Sequence, residues 1–253
     1  MLLEKQHTDN PYYGHRRLAF VLWWGKKKTR RIMKKFGISA RGKKRRNFVK
    51  PEDRKQADMH GRSFKDVIIW NPLKKLCPIA PNIVWRSDFT HIIYRGIHLH
   101  LATIIDDYTK EVVGYALAFH HRKELILEAL NNACKNNNNN NNNNIFPHYF
   151  HSDQGSEYKS YEVLDFLYQK NIIISMSSKA SPWQNGWQES FYGRFKTELW
   201  DLCRFDCIEE VILKIHQQIQ YYNNHRIHTS IMSTPVKFKK NYALNYHRVK
   251  WFT

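Results

Sequence analysis

The order of strand and helix patterns from residue 83 onward restricts the fold more than any other feature of this sequence. Apolar periodicity and turn residues predict the order β-β-β-α-β-α-β-α-α. Because the first three strands follow one another through short turns, we expect a mixed five-stranded α/β sheet with an antiparallel start and flanking helices. The predicted strands are Ile83–Ile93, His98–Ile105, Val112–Phe119, His148–Ser152 and Ile172–Met176.

Residues 1–50 carry most of the net positive charge of the chain. They hold 16 Lys or Arg against Glu4 and Asp9, whereas the whole chain has a net charge of +19. A concentrated positive field attracts polyanions such as nucleic acids. A solvated basic tail is the simpler interpretation, but apolar residues recur among the basic ones, and a tail would lack that spacing.

Two short helices are predicted within this basic segment, at about Gly14–Trp24 and Lys28–Phe36. Gly25 ends the first helix, and Gly37 is a natural C-cap for the second. A helix–turn–helix of this kind fits a DNA groove. The candidate DNA contacts within it are Arg16, Arg17, Arg30 and Arg31.

These patterns divide the chain into four predicted segments. Residues 1–50 form the helix–turn–helix-like segment, 51–82 a linker, 83–241 the α/β core and 242–253 a C-terminal tail. The run Asn136–Asn144 is of low complexity, and amide side chains at this density cannot build a core. We expect it to be a flexible loop between a helix and a strand, unless it is a placeholder in the sequence.

The location of the protein is predicted from what the sequence lacks. No apolar run approaches the ~18 residues of a membrane span, and the first residues lack the apolar stretch of a signal peptide. The four cysteines are too scattered for a disulfide framework. We therefore expect a cytoplasmic protein with reduced thiols and no membrane partner.

Three carboxylates stand at instructive places in the predicted fold. Asp88 lies within the first strand, Asp153 ends the fourth strand, and Glu189 lies on a helix 35 residues after Asp153. Taken singly, a strand Asp or a helix Glu is more often a cap or a solvated surface residue. Their placement on two strands and one helix makes the three together a candidate metal site.

The helix that carries Glu189 is predicted to be amphipathic. It should begin near Pro182, where Ser181 and Gln184 form a capping box. Its apolar stripe comprises Trp187, Phe191, Phe195, Leu199 and Leu202. The opposite face carries Glu189 with Tyr192, Gly193 and Lys196 at i+3, i+4 and i+7. A polar face with a cation suits a metal and a phosphate backbone, so we predict that Lys196 contacts DNA.

Carboxylates of this kind fit the chemistry of phosphodiesters. Mg²⁺ is a hard cation that takes oxygen ligands, and two such ions ~3.5–4 Å apart can serve the attacking and leaving oxygens. Asp106 and Asp107 are competing candidates for metal ligands. Since both lie in a hairpin connection, we interpret them as turn residues instead.

Six short motifs follow one another in a specific order between Asn10 and Asn241. They are Pro11-Tyr12-Tyr13-Gly14-His15-Arg16-Arg17; Trp85 with Asp88 and Thr90; His151-Ser152-Asp153-Gln154-Gly155-Ser156-Glu157-Tyr158; Ser181-Pro182 with Asn185 and Glu189-Ser190; Tyr222-Asn223-Asn224-His225-Arg226-Ile227-His228; and Thr234-Pro235. With the 35-residue gap, this chain resembles the second-frame (OrfB-type) subunit of IS three family transposases, which carry a retroviral-type integrase core.

The resemblance implies an RNase H-like fold with Asp88, Asp153 and Glu189 as catalytic residues that bind two Mg²⁺ or Mn²⁺ ions. It implies hydrolysis at a transposon end, followed by attack of the freed 3′-hydroxyl on another strand. Double-stranded DNA, both transposon ends and target, is the implied substrate, and Arg226 is an implied DNA contact. A first-frame (OrfA-type) partner and self-association are also implied, because that partner supplies end recognition and dimerisation.

Two other functions remain as alternatives. One is an RNase H-type nuclease that acts on hybrids, although the basic segment before the core and the Tyr222–His228 motif after it argue against this. The other is an inactive DNA-binding remnant of a transposase. Gly25 runs directly into Lys26-Lys27-Lys28, where the family has a longer connection, and the Asn run replaces a short one.

Overall fold

A computed structural model describes residues 2–42, 78–137, 145–177, 186–199 and 201–250 of the protein. Most of the predicted linker, residues 138–144 of the Asn run and the predicted capping box at Ser181 and Gln184 lie outside these ranges. Within them, no helix is both long and apolar enough to cross a membrane.

The core is a five-stranded mixed sheet with strand order β3-β2-β1-β4-β5. The strands are β1 (Val84–Tyr94), β2 (Ile97–Asp106), β3 (Val112–Ala118), β4 (Tyr149–Ser152) and β5 (Ile173–Met176). β1, β2 and β3 pair antiparallel, whereas β4 pairs parallel with both β1 and β5. The predicted mixed α/β architecture is confirmed, and β1 lies at its centre.

The turn between β1 and β2 is built from two residues with left-handed backbones. Arg95 has φ 44° and Gly96 has φ 82°. Positive φ at both central residues is the pattern of the tight hairpin turn whose twist matches that of the flanking strands. The turn predicted at these two residues is therefore present, and it fixes the register of β1 against β2.

Each face of the sheet buries a separate apolar core. On one face lie α4 (Lys123–Asn136) and α5 (Tyr161–Gln169), with Leu130 and Val163 fully buried against strand residues such as Trp85. On the other face lie α6 (Gly186–Leu199) and α7 (Ile208–Asn224), which pack against apolar residues of β1, β2 and β3. A three-layer arrangement results, with β1 buried between the layers.

The N-terminal segment contains three helices rather than the predicted two. They are α1 (Leu2–Asp9), α2 (His15–Val21) and α3 (Lys26–Lys35), and the pair α2–α3 forms despite its short connection. α2 ends three residues before the predicted Trp24, because Trp23 turns into the left-handed region at φ 54°. Gly37 has φ 64° where the C-cap was predicted, and the Ile38 N–H donates to the Met33 carbonyl at 2.9 Å.

The C-terminal part differs from the prediction. Three α-helices follow β5 instead of two, because α8 (Pro235–Lys250) comes after α6 and α7, with a short 3-10 helix at Leu202–Arg204 between α6 and α7. α8 runs across residue 241, where the core was predicted to end and a tail to begin. Pro235 at the start of α8 suits a first helical turn, where its missing N–H has no partner to lose.

The first two residues of the Asn run are ordered, contrary to the predicted loop. Asn136 is the last residue of α4, and its side chain donates to the Val113 carbonyl at 3.1 Å. The buried Asn137 donates to the Asn82 side chain at 2.9 Å and accepts from Lys239 Nζ at 3.0 Å. These amides therefore tie α4 and α8 to the sheet.

Asp106 and Asp107 are structural, as the sequence indicated. Asp106 Oδ1 accepts the backbone N–H groups of Tyr108 and Thr109 at 3.0 and 2.7 Å, which closes the turn after β2. Asp107 pairs with Arg86 Nε at 2.8 Å and with Lys110 Nζ at 2.9 Å. Both carboxylates are thus committed to the β2–β3 connection.

We predict that Gly114→Ala destabilises the protein by about 2–3 kcal/mol, the cost of overpacking a tight core. A Cβ at Gly114 on β3 would lie 2.5 Å from the Ala133 Cβ of α4 and closer still to the Ala129 carbonyl oxygen. Gly193→Ala is the matched control, because a Cβ there meets nothing within 4 Å. Urea unfolding measures both, and equal stability of the two variants would contradict this close packing of α4 on β3.

We predict that the Asp107 ion pairs contribute stability that disappears in acid. Burial raises the pKa of Asp107, but Arg86 and Lys110 more than offset this and hold it below 3.8. A depressed carboxyl pKa stabilises the fold above the unfolded pKa, and this contribution is lost as pH falls through the folded value. Asp107→Asn should therefore cost about 2 kcal/mol at pH 7 and progressively less below pH ~4. A pH-independent difference in urea unfolding would contradict the assignment.

Candidate active site

Asp88 and Asp153 are brought together by the parallel pairing of β1 and β4. In this register Arg86 lies opposite His151, and extending it by two residues places Asp88 beside Asp153. Asp153 follows the last residue of β4, and its Oδ1 accepts the Gly155 N–H at 2.9 Å. The carboxylates predicted from two strands thus meet at the end of the β4 strand.

Glu189 reaches this place through the anchoring of α6 on the sheet. The Tyr192 hydroxyl, one turn after Glu189, lies 2.7 Å from Thr103 Oγ1 of β2 and also donates to the Asp88 carbonyl oxygen. Phe191 packs beside it in the core. Glu189 itself is exposed and lies in the first turn of the described helix. The helix therefore carries a solvent-facing carboxylate above the Asp88 strand.

The electrostatics of Asp88 reflect both of the other carboxylates. Burial raises the pKa of Asp88 to about 7, from 3.8; the Phe89 N–H, which donates to Asp88 Oδ1 at 2.8 Å, opposes this. The negative charges of Asp153 and Glu189 raise the pKa further. Like charges are therefore gathered in a partly buried position, which a cation would stabilise.

The donor set fits a hard divalent cation. All three groups are carboxylates, the ligands preferred by Mg²⁺ and Mn²⁺. Among the described residues, no three His, Cys, Asp or Glu side chains stand close enough to hold a metal ion as they are placed. Asp153 and Glu189 are exposed, so their side chains can rotate toward a cation without disturbing the core. Asp88, Asp153 and Glu189 are thus the residues that would hold it.

The predicted faces of α6 need one correction. Phe191, Phe195 and Leu199 are buried as predicted, but Tyr192 is only 5% exposed and belongs to the same core. It was expected on the open face with Glu189. Gly193 and Lys196 are exposed, and Lys196 lies near enough to His91 of β1 for its charge to help lower the pKa of that imidazole, after burial and His98.

The arginines predicted to contact DNA divide into two groups. Arg16, Arg30 and Arg31 are exposed on α2 and α3, while Thr29 and Met33 of α3 are buried. α3 therefore presents a solvent face rich in Lys and Arg. Arg17 is different: it is half-buried, and its guanidinium stacks 5.4 Å over the Tyr13 ring.

Arg226, which the sequence suggested as a DNA contact, lies in a buried ion pair. The Arg226 side chain is 2% exposed, and its Nε lies 2.8 and 2.9 Å from the two carboxylate oxygens of Glu198. Nη2 lies 2.8 Å from the same carboxylate. The guanidinium thus forms a buried ion pair that joins the end of α7 to α6.

Sequence comparison identifies the family of the chain. Two Integrase core domain models match the chain, at residues 78–182 and 170–235. A transposase for insertion sequence element IS904 from Lactococcus lactis is 30% identical over 241 residues, which cover 92% of this chain and 90% of the relative.

The chain belongs to the insertion-sequence transposases. The predicted resemblance to IS three family, OrfB-type transposases is confirmed, and with it the class of polynucleotidyl transferases.

Solved structures support the fold of this transposase. The HTLV-2 integrase catalytic core domain, solved with magnesium, has a TM-score of 0.51 at 18% identity, over 64% of this chain and 98% of that one. The simian T-cell lymphotropic virus intasome, solved with a PP2A regulatory subunit, has a chain with a TM-score of 0.55 at 16% identity, over 94% of this chain and 74% of that one. The predicted RNase H-like fold is thereby confirmed.

Sequence reasoning missed two positioning features of the transposase. Tyr192 could have been suspected, since it lies one turn after Glu189 beside a run of core aromatics. The pair Glu198–Arg226 joins residues 28 apart in sequence and offers no local pattern. Only the packing of α6 beside α7 brings these charges together.

We predict that Arg226→Gln destabilises the transposase by about 3–5 kcal/mol, because it leaves the Glu198 carboxylate buried without its partner. Arg30→Gln, at an exposed position of α3, should leave the free energy of unfolding nearly unchanged. Thermal and urea unfolding measure both. If Arg226→Gln instead keeps the stability of the wild type and weakens DNA binding, Arg226 contacts DNA.

Proposed function

We propose that this transposase cuts DNA at transposon ends and joins the freed strand to target DNA, with Asp88, Asp153 and Glu189 as catalytic residues. The proposal is carried by one observation: carboxylates from β1, the end of β4 and α6 act on one another's charge. Burial and the charges of Asp153 and Glu189 raise the pKa of Asp88. Proteins keep such strained ionisation states mainly at functional sites.

Two Mg²⁺ or Mn²⁺ ions bound by these carboxylates would activate the attacking oxygen and stabilise the leaving oxygen. In the first step, water attacks the phosphodiester at the transposon end and the P–O3′ bond breaks, which frees a 3′-hydroxyl. In the second step, that hydroxyl attacks a target phosphodiester, a new P–O3′ bond forms, and the target strand is released with its own 3′-hydroxyl. No covalent bond between protein and DNA is needed.

The residues of the chain have distinct tasks in these steps. Asp88 is held rigidly by its strand, whereas Asp153 and Glu189 are exposed and able to adjust to the substrate. Tyr192 fixes α6 on β1 and is a positioning residue. The exposed Lys196, seven residues after Glu189, is suited to hold a backbone phosphate as a point charge. Arg16, Arg30 and Arg31 on α2 and α3 are suited to hold the duplex outside the site.

Partners follow from the same proposal. One of the solved neighbours is a chain of a retroviral intasome, which supports self-association of this transposase on double-stranded transposon ends and target. An OrfA-type first-frame subunit would supply recognition of the ends. The working location would be the nucleoid of a bacterial cytoplasm.

We predict that Asp88→Asn, Asp153→Asn and Glu189→Gln each reduce cleavage and strand transfer by roughly three orders of magnitude or more, since several kcal/mol of charge stabilisation are lost. The assay uses the chain, with its first-frame partner where needed, and duplexes carrying the inverted repeats that border its gene. Asp165→Asn, an acid on the outer face of α5 that is bound by Gln169, is the control.

Metal binding gives a readout that does not depend on activity. Mn²⁺ should raise the melting temperature of the wild type but not that of Asp88→Asn. Without metal, Asp88→Asn should be at least as stable as the wild type, because a carboxylate with a raised pKa costs stability at neutral pH. Full activity of any triad variant would sink the site assignment. Cleavage of RNA–DNA hybrids without strand joining would favour the nuclease, and DNA binding without either reaction would favour the inactive remnant.

A further inference from the structure

A cavity of about 430 Å³ lies between the N-terminal helices and α6. Its size falls in the roughly 300–1,000 Å³ range of ligand pockets. Its described lining includes four arginines and one carboxylate, which are Arg17, Arg41, Arg194, Arg226 and Glu198. Such an excess of positive charge in a concave surface attracts an anion.

The single carboxylate of this arginine cavity is already neutralised. Glu198 accepts three contacts of 2.8–2.9 Å from Arg226, and Gln218 Nε2 lies 3.2 Å from its Oε2. The pair forms the buried floor of the cavity. The charge of Glu198 therefore offsets that of Arg226 only in part at Arg17 and Arg194.

Arg17 and Arg194 both line the cavity. In the described ranges, no carboxylate lies within ion-pair distance of either guanidinium. Arg17 Nε is buried and has no hydrogen-bond acceptor. Burial, and after it the charge of Arg226, lowers the pKa of Arg17 to about 10, and the same two causes lower the pKa of Arg194. Crowded cations of this kind gain stability when an anion binds.

The N-terminal segment is docked firmly enough to define this geometry. Tyr13 Oη accepts the Ile227 N–H at 2.8 Å, and the Tyr221 hydroxyl donates to Asn10 Oδ1 at 2.8 Å. Tyr13 and Ile227 also belong to one apolar cluster with Leu18 of α2. Arg17 is therefore held against the core elements that carry Arg194 and Arg226.

The cavity adjoins the candidate active site along α6. Ser190 and Gly193 line it, and they are the residue after Glu189 and the residue one turn beyond it. One helical turn is about 5.4 Å, so the cavity lining begins within about one turn of Glu189 along α6. A Cβ at Gly193 would meet nothing within 4 Å, which leaves the cavity open at this residue.

We propose that the arginine cavity binds a backbone phosphate of the DNA strand that enters the active site. The planar guanidinium fork binds phosphate oxygens in pairs, and several arginines converge here from the N-terminal segment and the core. The bound phosphate would therefore require both units to be in place. This inference rests on the proposed function only in taking DNA as the source of the phosphate.

Salt-dependent binding to a short duplex of mixed sequence tests this site in the full chain, without catalysis. Arg194→Gln should bind about ten-fold more weakly or worse at low salt, as expected for loss of a charged hydrogen bond. Its slope of log K against log salt should fall by about 0.9, the value for one phosphate contact. Arg194→Lys should keep the slope, because the charge remains.

Arg95→Gln is the matched control. Arg95 lies on the β1–β2 turn, seven residues beyond Asp88, which is about 23 Å along an extended strand. Arg95→Gln removes the same charge as Arg194→Gln, but outside the cavity, and should leave the slope of log K against log salt unchanged. Arg17→Gln is a second cavity variant, and its melting temperature shows whether the loss of its stacking on Tyr13 disturbs docking.

Melting temperatures with inorganic phosphate test the cavity independently of catalysis, and they also distinguish a DNA phosphate site from a site for free anions. Phosphate should raise the melting temperature of the wild type more than that of Arg194→Gln. If the slope of Arg194→Gln equals that of Arg95→Gln, the inference is overturned, whatever the triad variants do. It is also overturned if phosphate stabilises the wild type while DNA affinity is unaffected, which indicates a free-anion site. Reduced self-association with unchanged DNA affinity would overturn it too, in favour of an acidic group from a second copy.

Discussion

The partly buried Asp88, which the negative charges of Asp153 and Glu189 also reach, is the constraint around which the rest of this transposase is arranged. Carboxylates do not gather unless other forces hold them, and here the forces are the parallel pairing of β1 with β4 and the packing of α6 on the sheet. Tyr192 shows how this works, because one phenol is both buried apolar surface and a hydrogen-bond donor to the Asp88 carbonyl. The burial of apolar area therefore stabilises the fold and offsets the repulsion between the charges.

Much of the fold could be predicted, since the decisive signals are local. Alternating apolar residues located the five strands to within a few residues, and the pair Arg95-Gly96 specified its own turn. The three carboxylates could be proposed as a triad because each stands at a recognisable place in a strand or helix, and their catalytic role stays a prediction. The turn acids Asp106 and Asp107 were separated from the triad by their hairpin position alone.

What could not be predicted depends on contacts between distant elements. Arg226 is polar in sequence and buried in the structure, since its partner Glu198 lies on another helix. Asn137 stands in a low-complexity run, yet Asn82 and Lys239 order it through hydrogen bonds from far along the chain. α1 and α8 were missed because their apolar residues are too few to give a clear helical stripe, so their helicity depends on tertiary packing.

The hydroxyl of Tyr13 links the first helices to the segment after α7 across more than two hundred residues of sequence. Two parts of the protein that are far apart in sequence therefore depend on each other structurally. Recombination between related transposases that exchanged residues 2–42 alone would pair α2 with a foreign Ile227 loop and a foreign α6. A productive exchange has to carry both ends of the chain together.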